Sequence, residues 1–148
     1  MLTRRILGLD VGEKKIGVAV SDPLGLTAQG LETIARRALG PDIRQVVEMA
    51  TRWEVGLIVI GLPISLNNTA GPQAEKVKNF AAALAAKTPI PLRFVDERFS
   101  TRIATQTLLL ADTSRQKRKQ VVDMLAAQLI LQSYLDRARS TDRPPQGE

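Results

Sequence analysis

Two apolar runs near the start of the chain constrain its fold more than any other feature. The first covers residues 6–12 and the second residues 16–22, with the polar segment Glu13-Lys14-Lys15 between them. Two such runs joined by a tight polar turn predict a β-hairpin. Because side chains alternate along a strand, Asp10 falls on the face that also carries Gly8, in a strand otherwise suited to a core.

A carboxylate in that position needs a physical reason. An unpaired acid in apolar surroundings costs several kcal/mol or shifts its pKa, so Asp10 requires a cationic partner, a metal ion or a place at the open end of the strand. Gly8, Gly12 and Gly17 leave space beside it for a ligand, a bulge or a bent backbone. Asp10 is therefore the first candidate functional residue.

The rest of the chain alternates between strands and helices and predicts an α/β fold with a five-stranded sheet. We expect an edge strand over residues 24–31, a connection through Arg36, Arg37 and Gly40, and a helix from Pro41 to about residue 54. A central strand over residues 55–61, a helix opening at Pro72 and a strand over residues 92–95 follow. Further helices are expected after Ser100 and after a basic loop or frayed helix start at residues 112–119. We expect one folded domain over residues 1–138 and a disordered polar tail over residues 139–148.

Two more acids lie where such a fold would bring functional groups together. The sequence Asp96-Glu97-Arg98 follows the last predicted strand directly. Ligands of α/β sheets bind beyond the carboxyl ends of the strands, so this corner lies near Asp10 if the strands run parallel. In the last helix, Asp123 shares a face with Ala126, Ala127 and Ile130, and the two alanines are small enough for close helix–sheet packing.

The composition limits the available chemistry. The chain has no Cys and no His, which excludes thiol catalysis and thiolate metal sites and removes the commonest general base. Oxygen ligands favour Mg²⁺ or Mn²⁺ over zinc. The net charge of +6 favours a polyanionic partner such as nucleic acid, while a small number of aromatic residues disfavours base-stacking platforms. With no long apolar run or leader visible, we expect a cytoplasmic protein with no membrane partner.

Five motifs in one order resemble the YqgF family, also called RuvX, over roughly residues 5–136. They are Gly8-Leu9-Asp10-Val11-Gly12, Ser21-Asp22, Gly61-Leu62-Pro63, Asp96-Glu97-Arg98 with Ser100-Thr101, and Val122-Asp123-Met124-Leu125-Ala126-Ala127. Proteins of this family are similar to the resolvase RuvC and have a ribonuclease H-like fold. The resemblance implies a mixed five-stranded sheet with helices on both faces. It also implies a nuclease that matures the precursor of small-subunit ribosomal RNA, with Holliday junction resolution as the older proposal.

The resemblance also implies a set of site residues. Asp10, Glu97 and Asp123 would hold one or two Mg²⁺ or Mn²⁺ ions and thereby carry catalysis, since three converging acids repel one another unless cations or protons neutralise them. Asp96 is ambiguous, because either acid of the pair can pair with Arg98 or take metal. Lys15 stands where the family usually has Arg, and the loop after Pro63 departs from the usual family sequence. Contacts to the nucleic-acid backbone are expected from Lys15, Arg98, Lys117, Arg118 and Lys119.

Three other readings stay open at the sequence level. An actin-like phosphotransferase also carries an Asp-x-Gly turn on its first hairpin, but it clamps nucleotide between two such domains and this chain supplies one. The basic residues 117–119 are also compatible with an ordinary solvated surface. A catalytically silent module that binds nucleic acid or the ribosome is the third reading, although a pure binder has little use for three acids beside a polyanion. Neither the choice between precursor ribosomal RNA and branched DNA nor the oligomeric state follows from the sequence.

Overall fold

A mixed sheet of five strands forms the centre of the computed structural model, which describes residues 4–63, 71–96 and 115–142. The strands are β1 (Arg5–Val11), β2 (Lys15–Ser21), β3 (Ala28–Ala35), β4 (Val55–Leu62) and β5 (Leu92–Asp96), arranged in the order β3-β2-β1-β4-β5. β2 pairs antiparallel with β1 and β3, whereas β1, β4 and β5 run parallel. The predicted hairpin, the central strand and the mixed five-stranded sheet are confirmed.

Helices cover both faces of this sheet. They are α1 (Leu39–Arg52), α2 (Pro72–Ala85) and α3 (Arg115–Asp142), and the side chains of α3 are described over residues 125–138. α1 and α2 pack on one face and α3 on the other. No described helix combines the length and the apolar character that a membrane crossing requires. The helix predicted after Ser100 lies outside the described residues, as do residues 143–148 of the predicted tail.

Each face of the sheet has its own apolar core. On the α1/α2 face, Leu7 and Leu9 of β1 pack with the stripe predicted for α2, in which Phe80 and Leu84 are fully buried. Burial of a side chain as large as that of Phe80 stabilises the fold by roughly 1.5–3 kcal/mol. On the α3 face, small residues of the sheet meet the buried positions of α3, which are Ala126, Ala127, Ile130, Leu131 and Leu135.

The third strand begins later than the sequence predicts. Asp22 accepts hydrogen bonds on Oδ1 from the backbone N–H groups of Leu26 at 2.7 Å and Thr27 at 2.9 Å. Gly25 adopts a φ of 70°, which glycine reaches without strain. These contacts close residues 22–27 into a turn, leave Leu24 67% exposed and delay β3 to Ala28. The predicted start at residue 24 is therefore wrong, although β3 is an edge strand as expected. Gly40 likewise lies in the first turn of α1 rather than in the connection before it.

Candidate active site

Asp10 lies near the carboxyl end of β1 and is partly buried. Strand alternation places it with Gly8 on the face that packs against α3. Its partner on β2 is Gly17, and the register of β1 with β4 places Gly61 at the same level on the other side. Both cross-strand neighbours are glycines, so neither contributes a side chain to the space around the carboxylate.

Helix α3 approaches β1 very closely beside this carboxylate. A Cβ atom at Gly8 would lie 2.8 Å from Leu131 Cβ and 3.2 Å from the carbonyl oxygen of Ala127. The packing of α3 therefore requires glycine at position 8. The space beside Gly8, which the sequence leaves open for a ligand, is filled by the helix. Leu135, further along α3, reaches Gly25 beyond the opposite end of β1, so α3 runs antiparallel to β1.

The same packing fixes the position of residue 123. Its backbone lies one helical turn, about 6 Å, before Ala127 on the same side of the helix. Asp10 lies two residues, about 6.6 Å, beyond Gly8 in the matching direction. The backbone at position 123 is therefore level with Asp10. The Asp123 side chain lies outside the described residues.

Asp96 ends β5 at the same edge of the sheet. It pairs with Leu62, and because β1, β4 and β5 are parallel, their carboxyl ends lie together as expected. Two strand spacings, about 10 Å, separate β1 from β5. Val95 is buried on the α3 face, so alternation along β5 places Asp96 on the α1/α2 face, opposite Asp10. Glu97 and Arg98 lie outside the described residues.

Of the predicted basic contacts, Lys15 is the one whose side chain the structure describes. It is the first residue of β2 and is partly buried. It shares a face with Gly17, which pairs with Asp10, so Lys15 and Asp10 lie on the same face and at the same edge of the sheet. Residues 117–119 lie in the helical backbone near the start of α3, which is the end of the helix nearest Asp10.

An arginine behind the hairpin holds the turn that follows Asp10. Arg36 donates from Nη1 to the carbonyl oxygen of Gly12 at 2.8 Å and from Nε to Asp42 Oδ2 at 2.8 Å. Its backbone N–H donates to the carbonyl oxygen of Lys14 at 2.8 Å, and its guanidinium lies 5.3 Å from the centre of the Phe80 ring. Within the turn, the Gly12 N–H donates to the Lys15 carbonyl oxygen at 2.8 Å. The hairpin turn is thereby tied to α1 and α2.

Local sequence patterns do not predict this arginine network or the role of Gly61. They indicate only a connection at Arg36, and the one signal at Asp42 is that of an acid in the first turn of a helix. Arg36 contacts the hairpin turn and Asp42 binds Arg36. These contacts depend on the register of β2 and β3, which local sequence patterns do not predict. Gly61 belongs to the motif Gly61-Leu62-Pro63, but its place beside Asp10 follows only from the parallel pairing of β1 and β4.

One large cavity of the described structure does not lie at this edge. It has a volume of about 650 Å³ and runs between α1 and α2, with an apolar floor that includes Ile43 and Val47. An apolar floor does not suit a phosphodiester backbone, so size alone does not make this groove the active site. A smaller cavity of about 370 Å³ lies beside the hairpin turn, lined in part by Gly12, Arg36 and Lys76.

The donor chemistry at the Asp10 edge fits a hard cation. Among the acids whose side chains the structure describes, no group of three is close enough together to hold a metal ion. Two of the three predicted ligands, Glu97 and the side chain of Asp123, are not among these described acids. All three are carboxylates, the ligand type that Mg²⁺ and Mn²⁺ prefer.

Curated relatives match this chain along almost its whole length. A protein of Moorella thermoacetica named "Putative pre-16S rRNA nuclease" is 54% identical over 133 residues, which is 90% of this chain and 95% of that protein. A protein of Clostridioides difficile with the same name is 55% identical over 136 residues, which is 92% of this chain and 96% of that protein. Each match therefore covers nearly the full length of this chain and of the relative.

Solved structures identify the fold. RuvC of Thermus thermophilus in complex with a Holliday junction substrate superposes with a TM-score of 0.61 at 18% identity, covering 96% of this chain and 99% of RuvC. The fowlpox virus resolvase in complex with its substrate Holliday junction DNA superposes with a TM-score of 0.56 at 12% identity, covering 90% and 98%. At these identities the likeness shows the fold alone, which is ribonuclease H-like. The family model described as "RuvX: Holliday junction resolvase" matches residues 4–137, and the chain belongs to the RuvX family.

Proposed function

We propose that this protein is a metal-dependent nuclease that hydrolyses phosphodiester bonds in the precursor of 16S ribosomal RNA. Relatives that are 54% and 55% identical to it over nearly its full length carry that name. The observation that carries the chemistry is the place of Asp10, beside two glycines, at the carboxyl edge of the parallel strands and level with position 123 of α3. The directly paired positions, Gly17 and Gly61, carry no side chain, so a phosphate group could approach a metal bound by Asp10.

Asp10, Glu97 and Asp123 are the proposed catalytic residues and metal ligands. Alternation along β5 supports Glu97 over Asp96, because Asp96 falls on the opposite face of the sheet from Asp10. Nucleases and resolvases of this kind are generally dependent on divalent metal ions. One or two Mg²⁺ or Mn²⁺ ions bound by these acids would lower the pKa of an attacking water and stabilise the leaving oxygen. The chain's own contribution is to hold Asp10 on a central strand and position 123 on a helix packed tightly against that strand.

The nucleic-acid strand is proposed to lie across the same edge of the sheet. Lys15 supports this, since it lies on the face of Asp10 at the mouth of the hairpin. Arg98 and residues 117–119 are proposed as further phosphate contacts, with the guanidinium groups able to bind two phosphate oxygens at once and the lysines acting as point charges. The net charge of +6 agrees with a polyanionic substrate, and a cytoplasmic location with access to the ribosome fits such a role.

Holliday junction resolution is the second candidate function. The specific observation in its favour is the description carried by the family model that matches residues 4–137. The two functions require the same metal chemistry and differ in the shape of the nucleic acid that must reach the Asp10 edge.

The test offers both substrates to the same preparation. Purified protein is incubated with a fragment of precursor 16S ribosomal RNA or with a four-way DNA junction, in Mg²⁺, in Mn²⁺ and in excess chelator. We expect metal-dependent cutting of the RNA and little cutting of the junction. Preferential cutting of the junction would replace the proposed substrate with the second candidate. Binding of either substrate that is insensitive to chelator, without any cutting, would instead support the silent binding module.

A further inference from the structure

A cavity with a mixed polar and apolar lining lies on the side of the hairpin turn that faces α2, and we call it the hairpin cavity. Its volume is about 370 Å³, and the residues that matter for its chemistry are Gly12, Glu13, Arg36, Gln73, Lys76 and Asn79. Gly12 and Glu13 follow β1 directly, so the hairpin cavity opens at the same edge of the sheet as Asp10. It lies on the α1/α2 side, whereas Asp10 and Lys15 lie on the α3 side.

The hairpin cavity has an apolar part formed by Val11, Leu39 and Phe80, and a polar part in which most side chains can donate hydrogen bonds. Lys76 brings an ammonium group and Asn79 a side-chain amide, while the Gln73 amide nitrogen also donates to the Val11 carbonyl oxygen at 3.4 Å. Arg36 brings a guanidinium that is held by Asp42 and by the Gly12 carbonyl oxygen and whose side chain remains 24% exposed. Glu13 is the one acidic residue among the described residues that line the hairpin cavity. Donors of this kind around a space of this size suit the oxygens of a phosphate group.

Lys76 is held only weakly by its present partner. Its Nζ lies 3.1 Å from Glu13 Oε1, and the two side chains are 63% and 64% exposed. Ion pairs this exposed to solvent contribute little to stability and are screened by salt. A phosphate can therefore replace the Glu13 carboxylate on Lys76 at small energetic cost.

We infer that the hairpin cavity is a second contact site for the phosphodiester backbone of the substrate, in which Lys76 exchanges Glu13 for a phosphate. The inference rests on the proposed function in one respect, namely that the substrate is a nucleic acid. Lys15 on the α3 side and Lys76 on the α2 side then hold the strand on both sides of the hairpin turn. The turn itself is fixed by Arg36, so a strand bound at both places passes next to Asp10.

The direct test compares two lysines of the same helix. Lys76→Gln removes the proposed contact, while Lys78→Gln removes another exposed charge two residues away, on another side of α2 and outside the lining of the hairpin cavity. Both are made in an Asp10→Asn background so that a labelled fragment of precursor 16S ribosomal RNA stays intact during binding. We expect Lys76→Gln to weaken binding about three- to fivefold at low salt. It should also reduce the slope of log affinity against log salt by about 0.7, the value of one phosphate contact on a single strand. Lys78→Gln should leave the slope unchanged.

Substitution of Glu13 should change the affinity for RNA in the opposite direction. Glu13→Gln frees Lys76 and removes a negative charge from the hairpin cavity, so binding should tighten. Glu75→Gln is the matched control, because Glu75 is also exposed but does not line the cavity. We expect the gain from Glu13→Gln to exceed that from Glu75→Gln and to disappear when Lys76 is already Gln.

The outcomes separate this inference from the proposed function. Equal effects of the two lysine variants, or equal effects of the two glutamate variants, overturn the hairpin cavity as a contact site, whether or not the wild type cuts RNA. Loss of affinity and slope confined to Lys76→Gln supports the site even if the wild type shows no metal-dependent cutting. Cutting by the wild type is measured on the same preparation, so the two conclusions are reached independently.

Discussion

Asp42 is the only charged side chain that is buried among the described residues, and its exposure is 0%. It accepts from Arg36 Nε at 2.8 Å and from the Arg37 backbone N–H at 3.1 Å. A buried carboxylate is tolerated only when its partners remain in place. The residue that neutralises Asp42 is also the one that holds the hairpin turn, so stability and turn geometry depend on the same side chain.

Removing Arg36 alone should therefore be more harmful than removing the pair. We expect Arg36→Ala to lower the free energy of unfolding by about 3–5 kcal/mol, because Asp42 is left buried without a countercharge. The double variant with Arg36→Met and Asp42→Leu leaves no buried charge and should recover most of that loss. Urea unfolding measures both variants. A double variant as unstable as Arg36→Ala would contradict this account.

A second acid makes stability depend on pH. The backbone N–H of Thr27, followed by that of Leu26, donates to Asp22 and holds its pKa below the usual 3.8. A carboxyl whose pKa is lowered by folding stabilises the fold above its unfolded pKa, and this contribution disappears as the pH falls through the folded pKa. The contribution of Asp22 is therefore present above 3.8 and is lost below it.

Asp22→Asn isolates this effect, since an amide oxygen can still accept both hydrogen bonds without the charge. We expect the wild type to be more stable than the variant near neutral pH and the difference to shrink as the pH falls from about 5 to about 2. Unfolding free energies measured across that range test the prediction. A stability difference that does not change with pH would show that the charge of Asp22 is not involved.

At the scale of elements, the contact between α3 and β1 decides where the candidate site forms. The helix lies so close that Gly8 has no room for a Cβ atom, and this approach brings position 123 level with Asp10. Displacement of α3 by a few tenths of an ångström would move one proposed metal ligand relative to another. Metal-assisted catalysis is sensitive to such displacements.

Gly8→Ala tests this contact with a matched control. We expect it to lower the melting temperature and to reduce cleavage, because its Cβ would lie 2.8 Å from Leu131 Cβ and 3.2 Å from a helix carbonyl. Gly40→Ala places the same methyl group in α1 with nothing within 4 Å, and should be neutral or stabilising by up to about 1 kcal/mol. Similar behaviour of the two variants in melting and cleavage assays would contradict the packing argument.

The elements that sequence predicts well are those whose signal is local. The hairpin, the central strand and α2 follow from alternation, an apolar run and a proline at a helix start, and the structure confirms them. The start of β3 is missed because Asp22 closes a turn through side-chain contacts that apolar patterning does not register. The Arg36 network and the place of Gly61 beside Asp10 depend on strand pairing between distant segments. The predicted Glu97 and Arg98 lie outside the described residues and stay predictions, as does the domain boundary at residue 138.

At the scale of the whole molecule, the net charge of +6 raises the question of which surface binds a polyanion. Residues 117–119 lie in the first turns of α3, near the Asp10 edge, while Arg37, Arg44 and Lys87 line the groove between α1 and α2 on the other face of the sheet. A phosphate contact releases counterions, and a cation that does not touch the substrate does not. Salt dependence therefore distinguishes the two surfaces.

Neutralising three cations on each surface should have different effects on RNA binding. Changing Lys117, Arg118 and Lys119 to Gln should flatten the slope of log affinity against log salt by about 2, as expected for three phosphate contacts on a single strand. Changing Arg37, Arg44 and Lys87 to Gln should leave the slope close to that of the wild type. Equal slopes for the two triple variants would rule out the start of α3 as a contact surface.

The central claim is that Asp10 holds a catalytic metal ion, and one measurement tests it most directly. Wild type, Asp10→Asn and Glu32→Gln are compared for cleavage of a precursor 16S ribosomal RNA fragment in Mg²⁺ and Mn²⁺, with melting temperatures measured on the same samples. Glu32 is an exposed acid on the edge strand β3 and controls for loss of one negative charge. We predict that Asp10→Asn lowers cleavage by more than about a hundredfold, because even residues that only support a metal ligand cost about 10–100-fold. Its melting temperature should be unchanged or slightly raised, while Glu32→Gln should cut as the wild type does. Cleavage by Asp10→Asn at the wild-type rate, or a loss of activity matched by an equal loss of melting temperature, would contradict the claim.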